Sequence, residues 1–591
     1  MKYSVFLFLF TLLLNGFAYC QKNDEILAKI GDNKITVEDF KNRYDLVPRI
    51  VRNANEDSAK IDFLYSMIAE KLLAEDALLH KTDTTEIYKS AYIPLEKMFV
   101  RDILFKLNVA NKISYTNDDV IAGINKSKII LQTNVITVKD SSTIFKYYKQ
   151  LKAGLKITDF FKKNFGSVQP EYPITFGQLD NPDLENLIYA LKEKQCTVPF
   201  KVKTGWIMFY LVKRTPNPNV PANIKDIVVN TIKVRLEKKA ANSFLGSILG
   251  KEKVEIDGKA FSFLIDSTAN KFVKNITAKD STGFILSETG LWDLLNNLTP
   301  AQQNQVIIKF SNSPASVKDI LYYLMQEPVI VKIKDRRTII TALKNALDLF
   351  IENELTSRYG YEKGAQNLPE VKHDIASRRD NLLMQLYRLK LSEDLKSKIS
   401  KETNFSKDNY NDIVYHVWEL LTVNLNLIDT VFSKLKESVP FETLAGKYTI
   451  RTKPNSTGDL GYISASEYGD IGKIASTLSI GQIYGPVKTT DGYSIFKLID
   501  KKENKAVTDS VNNNLRSKII DSKVEEEIQK YIAGLAGKQS ISINKDALKN
   551  VELSSINTLT YRYMGFGGRI IAEPLTYPMY NWVKYLKAPL F

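Results

Sequence analysis

Three histidines, His80, His373 and His416, and two cysteines, Cys20 and Cys196, are scattered through 591 residues. Structural zinc wants four nitrogen or sulfur ligands. A cysteine-based metal site is therefore excluded by count, and two cysteines cannot build a disulfide framework. No G-x-S-x-G or H-E-x-x-H stretch occurs, and three dispersed histidines do not suggest a nucleophile–base pair. The informative stretch is 415–502. A strand-like run at 417–423 and a helical run at 428–435 lead to Phe441-Glu442-Thr443-Leu444-Ala445 and Tyr448-Thr449. A polar loop precedes Gly458-Asp459-Leu460-Gly461-Tyr462-Ile463. Leu478, Gly481 and Gly485-Pro486-Val487 follow, then Gly492-Tyr493-Ser494-Ile495-Phe496-Lys497-Leu498.

This pattern, F-x-x-L-A, Y-T, G-D-L-G, L-x-x-G-x-x-x-G-P-V and G-Y-x-I-x-K-L, resembles the parvulin family of peptidyl-prolyl isomerases. The module upstream resembles the N-terminal region of SurA- and PrsA-type periplasmic folding factors. Residues 127–214 resemble a second, degenerate parvulin module through Phe160, Phe176-Gly177-Gln178-Leu179, Pro199 and Gly205-Trp206-Ile207. The resemblance implies rotation about X–Pro bonds, whose barrier is ~18–20 kcal/mol and whose unaided isomerisation takes tens of seconds. Such catalysis needs no cofactor. A pocket holds the proline ring, and polar groups favour the twisted amide over the planar one.

Family members place two histidines and an Asp or Cys in a hydrogen-bonded cluster beside apolar pocket residues. Counting along the motif puts Glu419, Arg451 and Ser494 at those three positions. His416 stands three residues before Glu419, an odd shift that turns it to the other face of a strand. Glu419 and Arg451 could form an ion pair with Ser494 nearby. Tyr468, Ile471 and Leu460 fall at substrate-binding positions for the prolyl ring. Two readings stay open: a modified isomerase of lower activity, or a decayed site kept as a scaffold. Ile207 stands at the second-histidine position of the first copy, whose middle loop is short, so no catalysis is expected from 127–214.

The elements that carry these residues are laid out twice. Residues 26–40, ILAKIGDNKITVEDF, match 306–320, VIIKFSNSPASVKDI, at an offset of 280. Ile26, Ala28 and Ile30 alternate as a strand does, as do Val306, Ile308 and Phe310. Thr36 and Ser316 stand at helix N-cap positions, with Asp39 and Asp319 three residues on. Each copy leads into an amphipathic helix, with stripes Ile61, Leu64, Ile68, Leu72 and Leu343, Leu347, Ile351, Leu355. Downstream, 253–261 (KVEIDGKAF) matches 540–548 (SISINKDAL) at an offset of 287, as do Gly205 and Gly492. The fold class expected is α+β and multidomain, with helical SurA-N-like modules and two parvulin-like (β-α-β) domains.

The expected organisation is a signal peptide at 1–20, a helical chaperone-like module at 21–126 and a degenerate parvulin-like domain at 127–214. Linker and helices occupy 215–304, with a Pro-rich semi-rigid spacer at 215–221 and no clear assignment for 262–304. A second helical module at 305–410, a PpiC-type domain at 411–503 and a helix and strand at 504–554 follow. The aromatic tail, 555–591, either packs over a preceding module or serves as a partner anchor or a strand in the client groove.

Lys2 and the apolar run from Val5 to Leu14 read as an export signal. A lipoprotein cut before Cys20 would want a small residue at Tyr19. An exported, periplasmic, non-lipidated protein is expected, and no later stretch is apolar enough to span a membrane. Hydrophobic residues at 44% and charged residues at 25% exclude a disordered or fibrous chain. The formal charge of +15 is spread along the chain, fitting a mixed-sign surface or attraction to acidic clients. With no phosphate loop, zinc spacing or helix-turn-helix signature, nucleic acid is not an expected partner. Expected partners are unfolded or extended polypeptides, of envelope or outer-membrane origin. The alternative is an inactive assembly scaffold for one dedicated envelope partner.

Overall fold

The structure is a computed structural model. It describes residues 24–46, 56–202, 204–275, 279–280, 283–327, 329–332, 335–402, 413–452, 454–465, 467–489, 491–503, 511–554, 560–566, 568–588 and 590. The expected export signal at 1–20 lies outside the described residues. The chain mixes helices with small antiparallel sheets. It divides into two compact units. One combines the described residues up to Ile103 with those from Lys251 onward, and the other runs from Leu104 to Gly250.

In the larger unit, Ile26–Ile30 and Asn33–Thr36 form a hairpin. Thr36 and Asp39 close a reciprocal capping box at the start of the Val37–Asp45 helix. Val306–Lys309 and Ala315–Ser316 form the equivalent hairpin, and Ser316 and Asp319 repeat the box. Each hairpin gains a third strand from a distant stretch. Ile541–Ile543 pairs with the first, placing Ala28 opposite Ile543. Glu255–Ile256 pairs with the second, placing Ile308 opposite Ile256. The bond from Asn544 N–H to Leu27 O (2.8 Å) is matched by that from Asp257 N–H to Ile307 O (2.9 Å). The closing strands are thus crossed: the one that follows the first α/β sheet completes the second hairpin, and the one near the C-terminus completes the first.

The helical stripes are core, as their spacing predicts. Leu64, Ile68 and Leu72 of Glu56–Leu79 are buried in one cluster with Leu383, Met384 and Tyr387 of Pro369–Glu402 and Ile528 and Ile532 of Val511–Ala536. Leu343, Leu347 and Leu355 are buried on Arg336–Glu362, and Ile351 is half-buried. The stretch 262–304 resolves into the end of the Gly258–Asn275 helix, two short strands, and the helices Glu288–Asn297 and Pro300–Gln303.

Two α/β sheets share one strand order. In the larger unit the order is Asp459–Ser464, Ile413–Thr422, Gly492–Glu503, Ile483–Thr489, all antiparallel. In the smaller unit it is Tyr172–Ile174, Ile129–Val138, Gly205–Pro216, Gln195–Cys196, with Phe200–Val202 also paired to the long strand. The expected spacer at 215–221 starts later than its prolines suggest. Thr215 and Pro216 still pair with Ile130 and Ile129, and Asn217 N–H bonds Lys128 O at 2.8 Å. Proline is tolerated there because the strand's other neighbour pairs only as far as Leu211, so this end is an edge where the Pro216 nitrogen owes no ladder bond.

The tail is part of the core. Met579 and Trp582 are fully buried against the helical cluster. Tyr561–Tyr563 and Arg569–Ile571 pair with each other and with no other strand among the described residues.

Candidate functional site

Glu419 lies near the end of Ile413–Thr422, directly across from Phe496 on Gly492–Glu503. Ser494 lies two residues before Phe496, so its side chain shares the face of Glu419. The Ser494 hydroxyl donates to Glu419 Oε1 at 2.7 Å. Arg451 arrives from the loop after the Phe441–Tyr448 helix. The Ile450 N–H bonds Leu421 O at 2.9 Å, and Thr449 Oγ1 accepts the Leu421 N–H at 3.1 Å. Those bonds lay the loop along the Glu419 strand. Arg451 then grips Glu419 with two donors, Nε to Oε2 and Nη2 to Oε1 at 2.9 Å, the fork geometry that makes arginine–carboxylate pairs strong.

The other side of Glu419 is held by a close backbone approach. Its N–H bonds Gly458 O at 2.7 Å. Gly458 has φ +87°, and a Cβ there would fall 2.3 Å from Glu419 O, so only glycine fits.

The three residues assigned by counting are therefore in one bonded cluster. Glu419 and Ser494 are fully buried, and the Arg451 side chain is 16% exposed. Burial works to lower the Arg451 pKa, but the hydrogen bond and charge of Glu419 outweigh it and hold the guanidinium above its ordinary value. Arg451 Nη1 donates to no group among the described residues. The guanidinium lies 5.4 Å from the centre of the Tyr468 ring, and Tyr468 is 37% exposed. Arginine and an aromatic ring at the surface offer one polar and one apolar contact side by side.

The other substrate-binding expectations sit differently. Leu460 and Ile471 are buried in one cluster with Val417, Tyr484 and Phe496. Their side chains fill the core beneath the sheet, which leaves Tyr468 as the accessible apolar group of the three. His416 joins a separate pair, bonding Asp459 Oδ1 through Nε2 at 2.8 Å. Thr449 and Gly458 escaped the residue-by-residue assignment. Both belong to the motif that carries the resemblance, which was the available signal. Among the described residues no group of three or more His, Cys, Asp or Glu is placed to hold a metal ion.

In the smaller unit, Val135 faces Phe209 as Glu419 faces Phe496, and Ile207 lies two residues before Phe209 as Ser494 does before Phe496. Val135 and Ile207 both pack against one apolar cluster. No polar counterpart of the bonded cluster exists at those two positions.

Residues 424–500 match the rotamase family model, described as a PPIC-type PPIASE domain. The chain contains a PpiC-type rotamase domain. It is 27% identical over 235 residues to foldase protein PrsA 2 of Bacillus cereus, spanning 34% of this chain and 81% of that protein. It is 28% identical over 135 residues to foldase protein PrsA of Bacillus subtilis, spanning 22% of this chain and 45% of the relative. Chaperone SurA of Xanthomonas euvesicatoria pv. vesicatoria is 26% identical over 117 residues, 20% of this chain and 25% of that protein. A crystal structure of a PpiC-type peptidyl-prolyl cis-trans isomerase domain aligns with 16% of this chain at 24% identity and a TM-score of 0.15. The chain is thus similar over part of its length to PrsA foldases and SurA chaperones, and its rotamase match is confined to residues 424–500.

Proposed function

We propose that the protein is an exported folding factor that binds extended polypeptides and turns X–Pro bonds slowly at the Arg451–Tyr468 surface. The observation that carries this reading is a fixed guanidinium with free donors beside an exposed ring, inside a rotamase domain. As the amide twists, its nitrogen loses conjugation and regains a lone pair. A donor aimed at that nitrogen stabilises the twisted form more than the planar one, which is the condition for acceleration. Arg451 Nη1 is that donor, and Tyr468 covers the prolyl ring. Glu419 and Ser494 are positioning residues, because their burial keeps them from substrate. In this reading the sheet of the smaller unit is a degenerate parvulin module that binds or spaces and does not catalyse. Export through residues 1–20 to the periplasm, the boundaries given above and an internal duplication belong to the same proposal. The paired hairpins, equal registers and common strand order support the duplication.

The burial of Glu419 and Ser494 favours a second reading, in which the domain is an inactive binding scaffold. Exchange spectroscopy on a short Ala-Pro peptide, with and without the full chain, separates the two. Faster cis–trans exchange that falls at least tenfold in Arg451→Ala supports the isomerase. Suppressed aggregation of an unfolded client with no change in exchange supports the scaffold and refutes the catalytic role of Arg451.

A further inference from the structure

A cavity of about 400 Å³ lies between the Glu86–Asn108 helix and the second hairpin-and-helix module. Its lining includes the Glu86–Lys318 ion pair, 2.9 Å. Its walls include Ile93, Pro94, Met98, Tyr322 and Phe350. Arg101 also lines it and is only 7% exposed. That guanidinium has one bond, from Nη1 to the Ser357 hydroxyl at 3.0 Å. Its Nε has no partner, and it makes no ion pair among the described residues. Other buried arginines are more fully bonded: Arg43 holds Glu70 through two bonds of 2.8 and 2.9 Å, and Arg378 donates to the backbone carbonyls of Asp374, Ile571 and Ala572.

A buried charge without an opposite charge costs several kcal/mol. Burial holds the Arg101 pKa below its ordinary value against the opposing pull of Glu327, Tyr323 and Glu354. Glu354 is committed elsewhere, to Lys97 Nζ at 2.6 Å and Arg358 Nε at 2.8 Å. Glu327 lines the same cavity, is not bonded to Arg101, and is itself pushed above the usual carboxylate value by burial.

We propose that this cavity binds the free C-terminal carboxylate of an extended polypeptide, with Arg101 taking the carboxylate and the apolar walls taking the last side chain. A guanidinium with free donors is a carboxylate receptor. The chain end is favoured over an internal acidic side chain because the cation is buried within the cavity lining. A chain end reaches it with one backbone arm, whereas an internal residue must bring two past the mouth. The site shares no residue with the Glu419–Arg451 cluster and rests on the foldase reading only for the class of ligand.

The test is fluorescence anisotropy with the full chain and a labelled peptide, Gly-Ala-Ala-Gly-Leu-Phe, carrying either a free C-terminal carboxylate or a C-terminal amide. A third probe, Gly-Ala-Ala-Asp-Leu-Phe with a C-terminal amide, supplies an internal carboxylate. The acid is expected to bind at least tenfold tighter than either amide. Arg101→Met abolishes that preference, and Glu327→Gln tightens the acid by removing a like charge. Cis–trans exchange of the Ala-Pro peptide reads the Arg451 surface on its own, so either proposal can fail without the other. Equal binding of acid and amide by the unaltered chain refutes the site even where Arg101→Met fails to fold. Binding of the internal-Asp amide as tight as the acid refutes the chain-end assignment. Weaker acid binding in Glu327→Gln refutes the assigned polarity.

Discussion

Arg451 is the hinge between stability and the proposed chemistry at the residue scale, because the group proposed to meet substrate also neutralises a buried carboxylate. Removing it leaves Glu419, fully buried, with only the Ser494 hydroxyl. Breaking a buried pair by deleting one partner costs about 3–5 kcal/mol. Arg451→Ala should therefore lower stability by about 3 kcal/mol in urea unfolding. Ser494→Ala removes one charge-assisted bond and should cost about 1.5–3 kcal/mol. A lost isomerase rate has to be read on protein shown to be folded. Glu354 gives a residue-scale pH effect. Burial raises its pKa, but Lys97 and Arg358 together bring it below the ordinary carboxylate value. A carboxylate depressed in the folded state contributes stability above its unfolded pKa, and that contribution disappears as pH falls through the folded value. The stability gap between the parent chain and Glu354→Gln should be widest at neutral pH and close in acid, as thermal melts across that range would record.

The crossed closing strands make a prediction at the scale of elements. Asn544 donates its N–H to Leu27 O and caps the Lys545–Lys549 helix by accepting the Ala547 N–H at 3.0 Å. Its φ of −87° is within proline's reach, so Asn544→Pro removes the bond and the cap with little backbone strain. Hydrogen exchange should then quicken in the hairpin at 26–36, over 500 residues away in sequence, and not at 306–316. Asp257→Pro should give the opposite map, because Asp257 N–H serves Ile307 O. Exchange that quickens in the nearer hairpin instead would show that the pairing is not crossed in solution. The hairpins and caps were legible because they are local: alternation, a turn and Thr36 or Ser316 three residues before an acid declare themselves within fifteen residues. Which hairpin each closing strand joins was not legible. Ile541–Ile543 and Glu255–Ile256 carry nearly equivalent patterns, so local sequence gives no preference between the two edges.

The tail ties the larger unit together at the scale of the whole molecule. Trp582 Nε1–H bonds Tyr65 O at 3.2 Å, and Met579 N–H bonds Ser66 Oγ at 3.0 Å. Arg43 donates to Thr576 Oγ1 at 2.8 Å while holding Glu70, and Asn381 bridges Glu70 Oε2 and Leu575 O at 2.7 and 3.1 Å. Arg562 reaches both Asp102 and Asp374, at 2.8 and 2.6 Å. Removing the tail would uncover apolar core and strand these buried charges together. A chain ending at residue 554 should melt at least ten degrees lower and bind a hydrophobic dye in its native state. Trp582→Ala alone should cost about 3–5 kcal/mol, the usual range for a large aromatic cut from a core. A truncated chain that melts with the parent would overturn the structural role of the tail.

Sequence alone determined the local order of this protein: the capped hairpins, the amphipathic stripes, the rotamase motif and the three positions Glu419, Arg451 and Ser494. Each is written in short-range spacing, which backbone geometry turns directly into faces and caps. Tertiary structure alone decided that the closing strands cross, that the tail is core, that Leu460 and Ile471 are buried while Tyr468 is exposed, and that Arg101 makes no ion pair among the described residues. Those outcomes depend on which distant surfaces exclude water from one another, a competition among many similar apolar patches that no short stretch of residues encodes.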